Sequence, residues 1–426
     1  MPRNPAQSTN KSKYFQWERV NANLLLSKFA EARKIQDGRC AFDAGDYHFW
    51  LPVLNSALRP TTPEAMRLRD GCIKISLSDP AISLKDTEAF LARCDQQFEV
   101  FSKRSKSRFI LYSTITYSGP RLVQWIGEGA SRIYWGPGRN GSLLRKIRAS
   151  QKPFSFQKSS LGLPPDDDLT PILVHVSAFD AWDAFEQSND CIDRFRGLLN
   201  LLINSSKSIN IFARLSEPHA MNRFRRGPLH TLHKPGGALA TETFWYEHRW
   251  LHKAPTIQFA DPGDYRRSVQ RWWAKVQKSQ MREFISDMLL RYCRALDLHE
   301  ADASLLGMWQ VLEKLTGTDK YDQLVERIAR LFKDPDDARE LAKHLRIRRN
   351  QTVHSSTSIS NEADVILLQV ETLASRAIFF LIEHAGRFKN LDEYYAFLDL
   401  PLSDKQLKRE REITEFYINY KNRPAV

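Results

Sequence analysis

The sequence has no apolar run approaching the roughly 20 residues that a membrane-spanning helix needs. Its most apolar segment, residues 365–382, is interrupted by Glu371 and Arg376. The first fifteen residues lack the apolar core of a secretory signal. We therefore expect a cytoplasmic protein with no membrane partner.

Closely spaced cysteine pairs are also missing. The chain has five cysteines, and they are scattered: Cys40, Cys72, Cys94, Cys191 and Cys293. This pattern is typical of reduced thiols that pack as small apolar side chains in a reducing compartment. It argues against a thiolate zinc site, and we expect no metal ion and no other cofactor.

Net charge is unevenly distributed along the chain. The whole sequence carries a formal charge of +13. Residues 264–426 hold 27 Lys and Arg against 25 Asp and Glu, which leaves 36 basic and 25 acidic residues in residues 1–263. A basic N-terminal part attracts a polyanion, most simply RNA, through phosphate neutralisation and counterion release. An ordinary basic surface with no nucleic-acid role is the alternative.

The length of 426 residues favours two domains. In residues 16–263, β-branched and aromatic runs alternate with turn-rich pieces, which predicts a mixed α/β domain. The predicted strands are residues 71–75, 108–117, 131–135, 172–176 and 209–214, and an amphipathic helix is predicted over residues 181–203.

The pattern changes to helices after Asp261-Pro262-Gly263. A segment free of Pro and Gly at 265–298 is followed by predicted helices at about 303–315, 321–332, 335 onward and 363–384, with a charged helical tail from about 403. The predicted fold class is thus α+β. Its parts are a disordered lead-in at 1–15, an α/β sensing or target-positioning domain at 16–263, a helical bundle at 264–390 and a helical tail at 391–426.

Chemistry-bearing residues concentrate where the fourth helix of this bundle ends, in RIRRNQTVHSSTSIS at 346–360. Arg349 and His354 would diverge on a straight helix, since five residues correspond to a rotation of roughly 140°. They converge only if the chain leaves helical geometry between them, which the polar segment 352–360 favours. Arg346 and Arg348 add positive potential around them.

Spacing alone does not single out this pair. Arg followed five residues later by His also occurs at Arg214/His219, Arg225/His230, Arg294/His299 and Arg339/His344. Only Arg349 is followed by Asn, at Asn350, and only this pair is predicted to lie at a helix end inside a helical bundle. Arg348 is an alternative for the arginine, and a helix end whose basic residues merely suit the dipole is the structural alternative.

The segment RNQTVH resembles the R-x4–6-H signature of the HEPN superfamily of ribonucleases. The helix LLGMWQVLEKLTG at 305–317 is similar to the one that precedes the motif in that family, and the resemblance covers about 264–390. The domain order is most similar to the ApeA-like anti-phage group. The resemblance implies that His354 is the general base or acid, that Arg349 binds the phosphate, and that Asn350 positions the substrate or His354. It also implies a homodimer with a composite site.

These residue types suit cleavage of RNA. An imidazole with a pKa near ~6.5 can take a proton from a ribose 2′-hydroxyl or give one to a leaving oxygen. A guanidinium suits the charge that develops on the phosphate oxygens. Glu313 could support the site by orienting His354 or Arg349, or it could simply be an exposed Glu that pairs with a nearby Lys.

A second basic segment, residues 221–237, predicts an RNA-binding loop through Arg223, Arg225, Arg226 and Lys234, with Phe224 able to stack on a base. An ordinary basic surface loop is the alternative.

Two further patterns are weaker. The loop GPGRNG at 136–141 has the spacing of a dinucleotide-binding turn, but no βαβ unit supports it, and a simple glycine turn is favoured. The spacing of His230, His233, His248 and His252 resembles a metal site, although sites made only of histidines are uncommon.

The sequence thus predicts a HEPN endoribonuclease that cuts RNA without a metal ion and leaves a 2′,3′-cyclic phosphate. The resemblance to the ApeA-like group implies an anti-phage effector of abortive infection, switched by a phage-derived or host activator. An inactive HEPN module that binds RNA, and the toxin of a toxin–antitoxin pair, are the alternatives.

Overall fold

The computed structural model describes residues 12–136, 141–163, 169–204, 221–247, 257–259, 261–354, 362–401 and 403–421, apart from the side chains of Pro63 and His354. Helices and strands are both present, so the α+β class is confirmed. The chain forms two compact units, one made of residues 1–107 and 177–184, the other of 108–176 and 185–426. The expected boundary at 263 lies inside the second unit.

The first unit is mainly helical. Its helices are α1 (Ala22–Ala32), α2 (Ala44–Ala57), α3 (Pro63–Leu77) and α4 (Thr87–Ser102), and its strands are β1 (Phe15–Trp17), β2 (Arg33–Gln36), β3 (Arg39–Phe42) and β4 (Leu58–Pro60). β1 pairs with β4 and β2 with β3, both antiparallel. The β2–β3 hairpin turns at Asp37-Gly38, where both residues have positive φ, as a type I′ hairpin turn requires.

Two sequence predictions need correction in this unit. Residues 71–75 are not a strand, because they lie inside α3, whose N-cap Thr62 accepts from the backbone of Ala65. Phe15 falls in the expected disordered lead-in, yet it is fully buried in the core of this unit. Residues 1–11 of that lead-in lie outside the described part of the chain.

The second unit begins with a six-stranded sheet in the order β10-β9-β5-β8-β7-β6. Its strands are β5 (Ser107–Ile115), β6 (Trp125–Glu128), β7 (Ser131–Trp135), β8 (Thr170–Ala178), β9 (Leu229–His233) and β10 (Leu239–Tyr246). The helices among them are α5 (Gly141–Ser150), α6 (Ser155–Ser160) and α7 (Ala181–Asn204), with a short 3-10 helix at Lys152–Phe154. The predicted strands at 108–117, 131–135 and 172–176 are confirmed, whereas 209–214 lies outside the described residues.

Helices cover both faces of this sheet. Leu144 and Ile147 of α5 belong to a cluster against which Tyr134 packs. On the other face, the ring of Trp135 lies 6.0 Å from that of Phe195 on α7. Neighbouring residues of a strand point to opposite faces of the sheet. Tyr134 therefore lies on the face covered by α5, and Trp135 lies on the face covered by α7.

The helical part follows in chain order. It comprises α8 (Gly263–Lys278), α9 (Arg282–Leu296), α10 (Ala301–Thr316), α11 (Tyr321–Ala329), α12 (Pro335–His354), α13 (Ala363–His384), α14 (Leu391–Leu398) and α15 (Asp404–Lys421), with a 3-10 turn at Ala385–Arg387. α10 packs against α9 and α13, and α11 packs against α12. The segment 265–298 forms two helices rather than one, because Ser279 is extended and its hydroxyl accepts from the Met281 backbone.

One stretch of the described chain, Ala363–Arg387, is long and apolar enough to cross a membrane by length and composition alone. Most of its apolar window is buried within the structure. Glu371 in its middle is buried and accepts a hydrogen bond from the Tyr292 hydroxyl at 2.7 Å.

A buried network of ion pairs joins α7 to α9. Arg196 is 1% exposed and donates to Asp193 at 2.7 Å and to both oxygens of Asp297 at 2.8 and 2.9 Å. Arg226 lies 3.6 Å from the same oxygen of Asp193, and Arg294 pairs with the other oxygen at 3.1 Å. Burial alone would raise the pKa of Asp193, but these guanidiniums hold it below its usual value, so the carboxylate stays charged.

Replacing Arg196 should therefore be costly. We expect Arg196→Met to lower the free energy of unfolding by about 3–5 kcal/mol, because it leaves Asp193 and Asp297 without their shared cation. Chemical denaturation measures this. Arg291→Met, which removes an exposed pair with Asp287, is the control and should cost less than about 1 kcal/mol. Equal losses in the two variants would contradict the assigned role.

Candidate functional site

α12 continues as an unbroken helix through position 354. The expectation that the chain leaves helical geometry between Arg349 and His354 is therefore wrong. Within one copy, helix geometry sets these two positions roughly 140° apart, whereas position 354 falls on the same face as Asn350, one turn earlier. The side chain of His354 lies outside the described residues.

Tyr321, at the start of α11, contacts side chains of the α12 turn that precedes position 354. The guanidinium carbon of Arg346 lies 4.6 Å from the centre of its ring and that of Arg349 lies 5.7 Å from it. The Tyr321 hydroxyl donates to Asn350 Oδ1 at 3.4 Å, and Arg349 Nη1 donates to the same oxygen at 3.2 Å. The Asn350 side-chain oxygen is thus held by two donors, one from α11 and one from the neighbouring Arg349.

The three arginines of this turn differ in their partners. Arg346 pairs with Asp322 at 2.9 Å and Arg348 with Glu362 at 3.2 Å. Arg349 makes no ion pair in the described part of the chain, and its Nε is buried there without a hydrogen-bond partner. The Nε of Arg348 is likewise buried without a hydrogen-bond partner, so Arg349 differs from Arg348 in having no carboxylate paired with it in the described chain. That difference favours Arg349 over Arg348 for phosphate binding.

Glu313 is connected to this turn indirectly. Its carboxylate accepts from Trp309 Nε1 at 3.0 Å, and the Trp309 ring lies 6.0 Å from that of Tyr321. Within the described residues Glu313 makes no ion pair with Arg349 or with a lysine. Glu313 therefore supports the packing of Trp309 against Tyr321 and does not contact Arg349.

Tyr321 was not identified from the sequence. It lies 28 residues before Arg349, on another helix, and nothing in its local pattern indicates the contact. The packing of α11 against α12 brings the two together.

The predicted RNA-binding loop at 221–237 is only partly available to a ligand. Arg223 and Lys234 are exposed, as expected. Phe224 is fully buried and cannot stack on a base. Arg225 is 9% exposed, and Arg226 pairs with Asp193 and with Glu247 at 3.0 Å. The prediction that Arg225 and Arg226 bind RNA therefore needs correction, because Arg225 is buried and the half-buried Arg226 is already paired with two carboxylates.

The histidines of this region do not gather around one point. His230 Nδ1 lies 2.8 Å from Ser113 Oγ and its Nε2 lies 3.2 Å from Glu247 Oε1. His233 lies three positions further along β9, on the opposite face of the strand. His248 and His252, like residues 137–140 of the GPGRNG loop, lie outside the described residues.

The described residues include one group with metal-like spacing, Asp193, Cys293 and Asp297. Both carboxylates already bind Arg196, and Asn222 donates to Asp297 at 2.8 Å. The group is therefore explained by the ion-pair network of the interior.

No family model matches this chain, and comparison with curated proteins and with solved structures finds no match.

His233 predicts a pH dependence of stability. Its ring contacts Ser150, Thr231 and the Gly237 carbonyl in the interior, and burial lowers its pKa from 6.5 to about 4. Below pH ~6.5 the unfolded chain binds a proton that the folded chain refuses until pH ~4, so stability falls as pH falls through this window. Between about pH 7 and pH 5 the loss should be about 2 kcal/mol.

Urea denaturation of His233→Gln at the two pH values measures this contribution. The variant should lose about 2 kcal/mol less than the parent between them. His344→Gln, which replaces an exposed histidine of α12, is the control and should keep the parental loss. An unchanged loss in His233→Gln would refute the assignment.

Proposed function

We propose that this chain is a metal-independent endoribonuclease of the HEPN type, with Arg349, Asn350 and His354 as its catalytic residues. The observation that carries the proposal is the set of partners around the Arg349 guanidinium. Asn350 and Tyr321 hold this guanidinium in place, and no carboxylate in the described chain neutralises it.

In the proposed reaction, the 2′-hydroxyl loses its proton to a base and attacks the adjacent phosphorus. The bond from phosphorus to the 5′-oxygen breaks, and that oxygen takes a proton from an acid. The products are a 2′,3′-cyclic phosphate and a 5′-hydroxyl. Arg349 stabilises the charge on the non-bridging oxygens, and His354 acts as base or acid.

A composite site between two copies fits the geometry of α12. One straight helix places positions 349 and 354 roughly 140° apart. A second copy facing the first would bring position 354 of one chain towards Arg349 of the other. We therefore propose a homodimer in which both chains contribute to each cleavage event. The likeness to ApeA-like proteins extends the proposal to defence by abortive infection.

Removing either catalytic group should abolish most cleavage. We expect Arg349→Ala and His354→Ala each to lower kcat by about 100- to 1,000-fold, since one loses a charge-stabilising donor and the other a proton-transfer group. Cleavage of a labelled RNA in the presence of EDTA, with cyclic phosphate ends identified by mass spectrometry, measures this. Mixing the two inactive variants should restore part of the activity if each site draws on both chains.

The matched controls lie on the same helix. Arg339 and His344 have the same spacing as the proposed catalytic pair. Arg339 pairs with Glu326, and His344 is exposed to solvent. We therefore expect Arg339→Ala and His344→Ala to cleave at the parental rate. A strict magnesium requirement, or full activity in both Arg349→Ala and His354→Ala, would refute the proposal. RNA binding without cleavage by the parent would indicate a binding module instead.

Tyr321 should act as a positioning residue. Tyr321→Phe keeps the ring beneath the arginines but removes the hydrogen bond to Asn350, so we expect kcat to fall by about 3- to 10-fold with KM little changed. Tyr321→Leu should lose more, because the arginines also lose the aromatic face. Equal kcat in parent, Tyr321→Phe and Tyr321→Leu would show that Tyr321 has no part in the reaction.

A further inference from the structure

The basic excess of the N-terminal part is concentrated in one stretch of the second unit. Between Glu128 and Asp166 the chain has seven Lys and Arg and no acidic residue. Those in the described chain are Arg132, Arg145, Lys146, Arg148, Lys152 and Lys158. A run of like charge without acids creates a strong local positive potential.

The cations of α5 lie on the side of the helix that faces solvent. Leu144 and Ile147 are buried against the sheet cluster. With 100° of rotation per residue, Arg145, Lys146 and Arg148 fall on the remaining face of the helix, and all three are exposed. The helix therefore presents three cations to solvent and none to the core.

Two more exposed cations extend this face. Lys152 follows α5 directly, in the 3-10 helix. Lys234 lies in the β9–β10 turn, and this turn packs on α5, since a Cβ added at Gly237 would lie 3.0 Å from the Lys146 Cβ. We call these five residues, Arg145, Lys146, Arg148, Lys152 and Lys234, the basic face.

The charges of the basic face are not neutralised within the chain as described. None of its five members forms an ion pair with a carboxylate there, in contrast to Arg194, Arg196, Arg226 and Arg294, which all do. A polyanion would gain the full interaction with these cations, because no intramolecular pair has to be broken first.

Two exposed aromatic rings belong to the same part of the second unit. Phe156 of α6 is 79% exposed, two residues after the 3-10 helix ends. Trp125 is 52% exposed on the edge strand β6, directly opposite Tyr134, and Arg132 lies 5.5 Å from its ring centre. Aromatic faces next to cations suit unpaired bases, whereas a duplex keeps its bases stacked inside.

We propose that the basic face, with Phe156 and Trp125, is a binding surface for single-stranded RNA. Its cations neutralise successive phosphates and its rings stack on bases. The choice of RNA over other single strands rests on the proposed function. No residue of this surface shares a helix or strand with Arg349, so binding and cleavage are assigned to separate parts of the second unit.

The test uses the full chain and a 5′-fluorescein-labelled 2′-O-methyl RNA 20-mer, which lacks the hydroxyl needed for cleavage. Fluorescence anisotropy measures Kd at a series of salt concentrations between about 50 and 200 mM. Replacing Arg145, Lys146 and Arg148 together by Gln should weaken binding at least about tenfold and reduce the slope of log K against log salt by about 2, for three phosphate contacts on a single strand.

A second triple variant controls for net charge. Lys405, Lys408 and Lys421 are exposed on α15, and their joint replacement by Gln removes the same charge elsewhere. It should leave the salt slope near the parental value. Equal weakening by the two triple variants would overturn the proposal, because binding would then depend only on total charge.

Phe156→Ala tests stacking without altering charge. Because its side chain is exposed, folding should be preserved, which a thermal melt checks. We expect about 5- to 100-fold weaker binding, the usual consequence of losing one stacked base, and recovery in Phe156→Tyr. Parental Kd values in both Phe156→Ala and the α5 triple variant would overturn the proposal.

Two other ligands separate the alternatives. Vesicles of phosphatidylcholine and phosphatidylserine at about 3:1 provide an anionic membrane surface. If the α5 triple variant loses vesicle binding but keeps RNA binding, the surface is a membrane site and the proposal fails. Preferential binding of a double-stranded RNA would equally refute it, because stacked bases cannot reach Phe156.

Failure here is distinguishable from failure of the proposed ribonuclease. If the 2′-O-methyl RNA does not bind but ordinary RNA is still cleaved with dependence on Arg349, only the binding surface is refuted. If binding follows the basic face but no RNA is cleaved, only the ribonuclease is refuted.

Discussion

The buried ion pairs around Arg196 are the constraint on which the second unit depends. A guanidinium with almost no solvent contact is stable only when its donors are satisfied, and here Asp193, Asp297 and the Phe224 carbonyl satisfy them. Because these partners come from α7, the end of α9 and the segment before β9, the network fixes the sheet and the helical bundle relative to each other. Gly197 permits this close approach, since a Cβ there would lie 2.2 Å from the Leu289 carbonyl oxygen of α9.

That constraint also separates two kinds of arginine. Arg225 is buried and Arg226 is paired with carboxylates, in surroundings where desolvation makes an unpaired charge costly. Arg349 and the basic face lie where water or a ligand can reach them. The positive charge of the chain is therefore not evenly available to a ligand, and the cations without carboxylate partners on α5 and at Arg349 are the ones that we propose bind RNA.

The turn of α12 around Arg349 shows how a weak motif acquires a defined geometry. Asn350 alone could point in several directions. Tyr321 and Arg349 both donate to its Oδ1, which leaves one orientation favoured, and Trp309 and Glu313 pack behind Tyr321. A helix that continues to position 354 then separates arginine from histidine within one copy, which is the physical reason that a partner copy enters the proposal.

Local patterns in the sequence determined much of the helical part. Proline at the start of α12, the glycine that ends α10 and the apolar stripe of α13 act over a few residues, so these helices were predicted nearly to their ends. The pairing of Arg349 with Asn350 is likewise a feature of adjacent residues. The basic composition of residues 1–263 was also evident.

Tertiary structure alone decided which of these groups reach solvent. The burial of Phe224 and Arg225, the ion pairs of Arg226 and the contact of Tyr321 with Arg349 all depend on distant parts of the chain. The division into two units does so as well. No local pattern encodes such contacts, because they arise from the packing of α7, α9, α11 and the sheet. The sequence by itself thus determined the motif and the charge, whereas the tertiary structure decided which charges are neutralised and which remain for a ligand.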